Sequence, residues 1–174
     1  MSAEKHILSV LVEDHPGVLN RVVSLMRRRS FNIDSITVGH SEQPGISRIT
    51  IVLRGEDYEV EQVSKQLYKL LEVLKVTDLP EKGSVVHELM MVKVAAKSTP
   101  RRNPRKSSKS TKRRSSMRTQ STLMVQAVGG EEKIDALLSM LRPFGIRELV
   151  RTGPIAMTRG AITPQVKSQA IAAD

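Results

Sequence analysis

The chain contains no cysteine and no tryptophan, and its 174 residues include only two Phe and two Tyr. Without cysteine there is no disulfide framework and no thiolate metal site. That fits a reducing compartment, and a cytoplasmic protein is expected. With Phe31, Phe144, Tyr58 and Tyr68 as the only aromatics, the core must be aliphatic and bases find few platforms on which to stack. No apolar run approaches the roughly 20 residues that a membrane helix needs. The start, Met1-Ser2-Ala3-Glu4-Lys5, is polar, and no long apolar stretch of a secretory signal follows it.

Signs of catalysis are equally sparse. His6, His15, His40 and His87 are scattered and lack ligand spacing. Ser9 and Ser24 sit in no nucleophile elbow. Gly129-Gly130 precedes a helical pattern, but two glycines make no phosphate loop. No catalytic residue, no metal site and no cofactor on this chain are expected.

Charge of one sign is concentrated in one place. Ten basic residues and no acid lie between Lys97 and Arg118. Removing those ten from 28 Lys+Arg leaves 18, against 18 Asp+Glu, so the net charge of +10 belongs to this segment alone. Read by itself, it is a solvated cationic linker able to bind nucleic acid by counterion release. It carries no interleaved aromatic, which makes nucleic-acid recognition an unfavoured reading. A second reading is a displaced coding frame restored near Gln120. Ser codons beginning TC would then give apolar residues, and a helix end running into a strand could emerge. Residues 97–121 are therefore either a basic insert or a misread segment.

Periodicity orders the rest. Ile7 to Val12 reads as a strand buried on both faces. Val18, Leu19, Val22, Val23, Leu25 and Met26 recur at helical spacing, with Arg27, Arg28 and Arg29 in the last turn. Ile33 to Val38 and Ile49 to Leu53 read as strands separated by the turn residues Pro44-Gly45. Val60, Val63, Leu67, Leu70 and Leu71 mark a second helix, and Val73 to Val76 a fourth strand. The order β-α-β-β-α-β over 4–80 predicts a ferredoxin-like α+β sandwich, two helices over one face of an antiparallel sheet. From Val85 the pattern restarts: strands at Leu89–Ala95 and Leu123–Val128, a helix through Ile134, Leu137, Leu138 and Leu141, then strands at Ile146–Val150 and Ile155–Met157. This second ferredoxin-like unit, 84–160, is incomplete, lacking a helix and a strand where the basic segment interrupts it. The tail 163–174 has no periodicity and reads as disordered.

The chemistry concentrates where the first strand meets the first helix. The Asp14-His15-Pro16-Gly17 turn leaves backbone N–H groups free at a helix start, a place suited to a carboxylate. Asp14 accepts hydrogen bonds, from loop N–H groups or from a ligand ammonium, and Asn32 offers both a donor and an acceptor. An amino acid needs that mixture together with an apolar slot.

A strand, then Asp14-His15-Pro16-Gly17-Val18-Leu19, a helix, and Phe31-Asn32-Ile33-Asp34-Ser35 resembles an ACT regulatory domain. More narrowly, Ile7 to Glu13, Ser47 to Ile51, Lys65 to Leu70 and Leu89 to Val94 resemble the small, regulatory subunit family of acetolactate (acetohydroxyacid) synthase. The resemblance covers Lys5 to Ala95 and resumes from Leu123 to Gly160. It implies a regulatory subunit in the biosynthesis of valine, leucine and isoleucine, which activates a catalytic large subunit and confers feedback inhibition. It also implies ACT domains paired as a homodimer, with valine or a related branched-chain amino acid bound between them. The effector residues it assigns are Asp14, His15, Pro16, Gly17, Val18 and Leu19 in the loop, with Asn32 and Ile33 on the facing strand of the partner. Asp14 stands where many relatives carry asparagine. Thiamine diphosphate, Mg²⁺ and FAD are implied on the large subunit only. The alternative reading is an ACT-type module serving another enzyme, or a regulator that touches nucleic acid through the basic segment.

Overall fold

A computed structural model describes residues 4–29, 31–80, 82–95, 118–119 and 122–160. The basic segment, apart from Arg118 and Thr119, and the tail 163–174 lie outside the described residues. By contact the chain divides into two units, 1–85 with 155–174, and 86–154. Residues 155–160 thus group with the first unit, although the sequence pattern assigns them to the second.

The first unit contains β1 (Glu4–Glu13), α1 (Val18–Arg28), β2 (Ile33–His40), β3 (Ile46–Gly55), α2 (Asp57–Leu67) and β4 (Val73–Asp78). The sheet order is β2-β3-β1-β4, and every neighbouring pair is antiparallel. β1 and β3 pair without interruption from Glu4↔Gly55 to Glu13↔Ile46. Side chains alternate along β1, so Leu8, Val10 and Val12 share a face and enter one core with Val18, Val22 and Met26 of α1 and Val60, Val63 and Leu67 of α2. On the opposite face Ser9 and Leu11 are also buried, which explains why the strand reads as continuously apolar.

α2 ends at Leu67, earlier than its apolar pattern suggests. The Tyr68 hydroxyl accepts from the Val76 N–H at 3.0 Å and lies 3.1 Å from the Val76 carbonyl, drawing the chain into a turn toward β4. Leu71, which the pattern assigns to the helix, is 91% exposed instead.

The second unit contains most of β5 (Ser84–Ala95), β6 (Arg118–Thr119), β7 (Thr122–Gly129), α3 (Glu131–Leu141), a 3-10 turn at Arg142–Phe144 and β8 (Ile146–Arg151). A final strand, β9, spans Ile155–Thr158. The order β6-β7-β5-β8 repeats the first sheet strand for strand. Arg118–Thr119 is the described part of the strand that the sequence reading lacks. Met90, Val92, Val94, Ala127 and Ile134 form the buried core of this unit. Glu88, itself buried, takes two bonds from Arg151, whose third bond goes to Asp135 at 2.7 Å. No described helix is long and apolar enough to cross a membrane.

Candidate functional site

The carboxyl end of β1 delivers the chain into the Pro-Gly turn. The Asp14 N–H donates to the Gly45 carbonyl at 2.9 Å, and the Glu13 N–H to the Glu72 carbonyl at 2.9 Å. The entry to the turn is thereby fixed to two neighbouring loops. Gly17 adopts φ +94°, the left-handed region that excludes most side chains, and open space surrounds the position of a missing Cβ. That conformation reverses the chain and starts α1 at Val18 with no side-chain cap. The first bond to reach back a full turn is from the Arg21 N–H to the Gly17 carbonyl, 3.0 Å. The Leu19 and Asn20 N–H groups therefore point outward with no intrahelical acceptor. The aligned peptide dipoles add positive potential at the same place.

Each side chain of the turn has a distinct place. Val18 is buried in the core and can offer only its backbone. Leu19 and Val23, one helical turn apart, are 42% and 38% exposed and form an apolar strip beside the N–H groups. His15 is turned back on its own loop. Its Nε2 lies 3.3 Å from the Glu13 carboxylate and its Nδ1 3.3 Å from the Pro16 carbonyl. The Asp14 carboxylate lies 3.1 Å from Nδ1 of His40, at the end of β2. Arg21 reaches across to the buried Glu72 carboxylate. The sequence reading assigns none of His40, Arg21 and Glu72 to the site. The topology could have supplied His40, because β1 and β2 run parallel with β3 between them, so their carboxyl ends meet at one sheet end.

Asn32 and Ile33 lie elsewhere. Ile33 pairs with Leu53 of β3, whereas Glu13 pairs with Ile46. Seven residues of β3 separate these rows, roughly 24 Å at about 3.4 Å per residue. Within one chain, the turn and Asn32 therefore occupy opposite ends of the sheet. Asn32 is exposed and donates to the Asp34 carboxylate at 3.3 Å. Ile33 packs against the core. One copy brings Asp14 to Leu19 together and leaves Asn32 and Ile33 apart from them.

A split βαβ sandwich with a bare helix start beside a Pro-Gly turn has the architecture of an ACT domain, and residues 8–75 match the family described as AHAS small subunit-like ACT domain. Residues 87–160 match a second family, described as small subunit of acetolactate synthase. The chain is 51% identical over 164 residues to the probable acetolactate synthase small subunit of Methanothermobacter thermautotrophicus, covering 94% of this chain and 98% of that protein. It is 40% identical over 157 residues to the acetolactate synthase small subunit of Bacillus subtilis, covering 90% and 91%. The crystal structure of the acetolactate synthase small subunit from Thermotoga maritima superposes with a TM-score of 0.80 at 34% identity, covering 91% of this chain and 99% of that one. The chain belongs to the acetolactate synthase small-subunit family.

Proposed function

We propose that this chain is the non-catalytic regulatory subunit of an acetolactate synthase and binds a branched-chain amino acid, valine above all, between the ACT domains of two copies. The observation that supports this most directly is the separation of the turn from Asn32 within one chain. β2 is an edge strand. Two copies joined antiparallel along β2 would set residue 32 of one near residue 40 of the other. His40 contacts Asp14, so Asn32 of a second copy would arrive beside the Pro-Gly turn.

Each half then supplies what the other lacks. The Leu19 and Asn20 N–H groups would hold the ligand carboxylate. The Asp14 oxygens suit its ammonium, Asn32 would fix orientation, and Leu19 with Val23 would receive the aliphatic side chain. Binding would favour one arrangement of the pair over another, and the attached catalytic subunit would respond to that shift. Thiamine diphosphate, Mg²⁺ and FAD would belong to that partner. The apolar exposure of Val38 on β2, 46%, fits an edge that pairs with another copy.

The test is calorimetry of valine against the full chain, beside sedimentation of the same sample. The expected result is a species of twice the 19.3 kDa chain mass and a valine affinity that falls at least about tenfold in Asn32→Ala, the loss of one to two hydrogen bonds to a charged ligand. Unchanged affinity in that variant, or tight binding to a monomer, would overturn the shared site. Co-purification with a thiamine-diphosphate enzyme tests the partner separately.

A further inference from the structure

At the far end of the same sheet lies a cluster that the effector site does not use. Glu4 and His6 are two residues apart on β1 and so share a face, the face of Leu8 and the helices. Glu4 pairs with Gly55, the last residue of β3, and α2 begins two residues later at Asp57. A capping box between Glu56 and Glu59 holds that helix start in place. The short connection lays Asp57 over the beginning of β1. One ligand atom each from Glu4, His6 and Asp57 lies within 4.8 Å of the others.

His6 makes this more than a gathering of acids. Its side chain is only 11% exposed, and its Nε2 is buried with no hydrogen-bond partner. That nitrogen faces the Asp57 carboxylate at 3.6 Å, while Nδ1 faces the Asp78 carboxylate at 3.6 Å. Both distances are too long for hydrogen bonds. Buried polar atoms are normally satisfied, so an orphaned imidazole nitrogen between carboxylates marks a place for a positive occupant. With its proton on Nδ1, facing Asp78, the imidazole would turn its Nε2 lone pair toward Glu4 and Asp57. This is the tautomer of a metal-ligating histidine backed by a carboxylate.

We propose that Glu4, His6 and Asp57 bind a divalent transition-metal ion of the zinc class, with Asp78 orienting His6 from behind. One imidazole and two carboxylates suit zinc or manganese, whereas magnesium and calcium take oxygen ligands alone. Tetrahedral bonds of about 2.1 Å put ligand atoms about 3.4 Å apart. Glu4 and Asp57 are exposed side chains, free to close the remaining gap by changing rotamer. The fourth position would take water. Bound there, the ion would tie the first residues of β1 to the first turn of α2. The site lies in the row His6↔Leu53↔Ile33, at the sheet end away from the Pro-Gly turn.

Equilibrium dialysis of the untagged full chain against Zn²⁺, with excess Mg²⁺ present, tests this. One zinc per chain is expected, with affinity reduced more than tenfold in Asp57→Asn and in His6→Gln and about tenfold in Asp78→Asn. Asp57 is 91% exposed in its side chain, so its variant keeps the test open where the His6 variant fails to fold. A double variant, His15→Asn with His40→Asn, removes the exposed imidazoles near the turn and should leave the stoichiometry unchanged. No zinc at one per chain, zinc retained in Asp57→Asn, or zinc lost in the double variant would overturn the site.

Discussion

Two carboxylates show how unequal the ion pairs of this protein are. Glu88 is 3% exposed in its side chain and is held by Arg151 through two guanidinium bonds. Glu148 is 60% exposed and is met by the flexible Lys93. The hydrogen bond from Lys93 lowers the Glu148 pKa. Whatever stability that pair adds is present above the ordinary glutamate pKa and lost as pH falls through the lowered value. The bond to Glu88 raises the Arg151 pKa, so that cation persists across the whole working range of pH. Arg151→Met would leave Glu88 buried and unpaired, a loss of about 3–5 kcal/mol by analogy with other broken buried pairs. Urea unfolding of the full chain checks this. Lys93→Met, measured alongside, should move the midpoint far less, because exposed pairs contribute little. At the same scale Gly17 holds a left-handed conformation at the turn. On the proposed site, alanine there adds backbone strain without charge, whereas aspartate adds strain and a carboxylate that would repel the ligand's own.

The elements of the first unit were legible because two periods alternate cleanly. Ile49, Ile51 and Leu53 repeat every second residue, Val18, Val22 and Met26 every fourth, and Pro-Gly pairs punctuate between them. The ends were less legible. α2 stops at Leu67 through the contact of Tyr68 with Val76, which lies eight residues on and leaves no local signature. The second unit shows the same limit more sharply. Of its second strand only Arg118–Thr119 is described, and two residues carry no period. Residues 96–117, between β5 and β6, lie outside the described residues, and the ferredoxin-like order calls for a helix at that place, as α1 has in the first unit. We expect the nucleotide sequence across codons 95 to 122, read in a displaced frame, to encode an amphipathic helix leading into a strand. A stop codon in that frame, or polar residues at its apolar positions, would establish the basic segment as a true insert. The candidate site was half legible for a related reason. Loop chemistry is local, whereas the meeting of His40 with Asp14, or of Glu4 and His6 with Asp57, depends on register.

Across the whole molecule, charge and fold are separate matters. The strongly basic balance arises from residues 97–118, and the remaining Lys+Arg and Asp+Glu are equal in number. A high isoelectric point therefore says little about how the folded units meet a partner. The repeat of one strand order in two units says more, since the first sheet ends at the edge strands β2 and β4. In the first unit the proposed pairing uses the β2 edge.

The placement of the Pro-Gly turn and Asn32 at opposite ends of one sheet has a consequence for mixtures of defective chains. On the proposed pairing, a Gly17→Asp copy spoils the pocket built on its own turn but lends a sound Asn32 to its neighbour. An Asn32→Ala copy does the reverse. Neither variant alone should bind valine well. Unfolded together in equal amounts and refolded, about half of the pairs would be mixed under two-fold symmetry, each with one intact pocket, so about a quarter of the normal binding capacity would return. Two inactive preparations would thus restore each other, as complementing alleles do, and calorimetry of the mixture would read the recovery. A pocket made within a single chain would recover nothing.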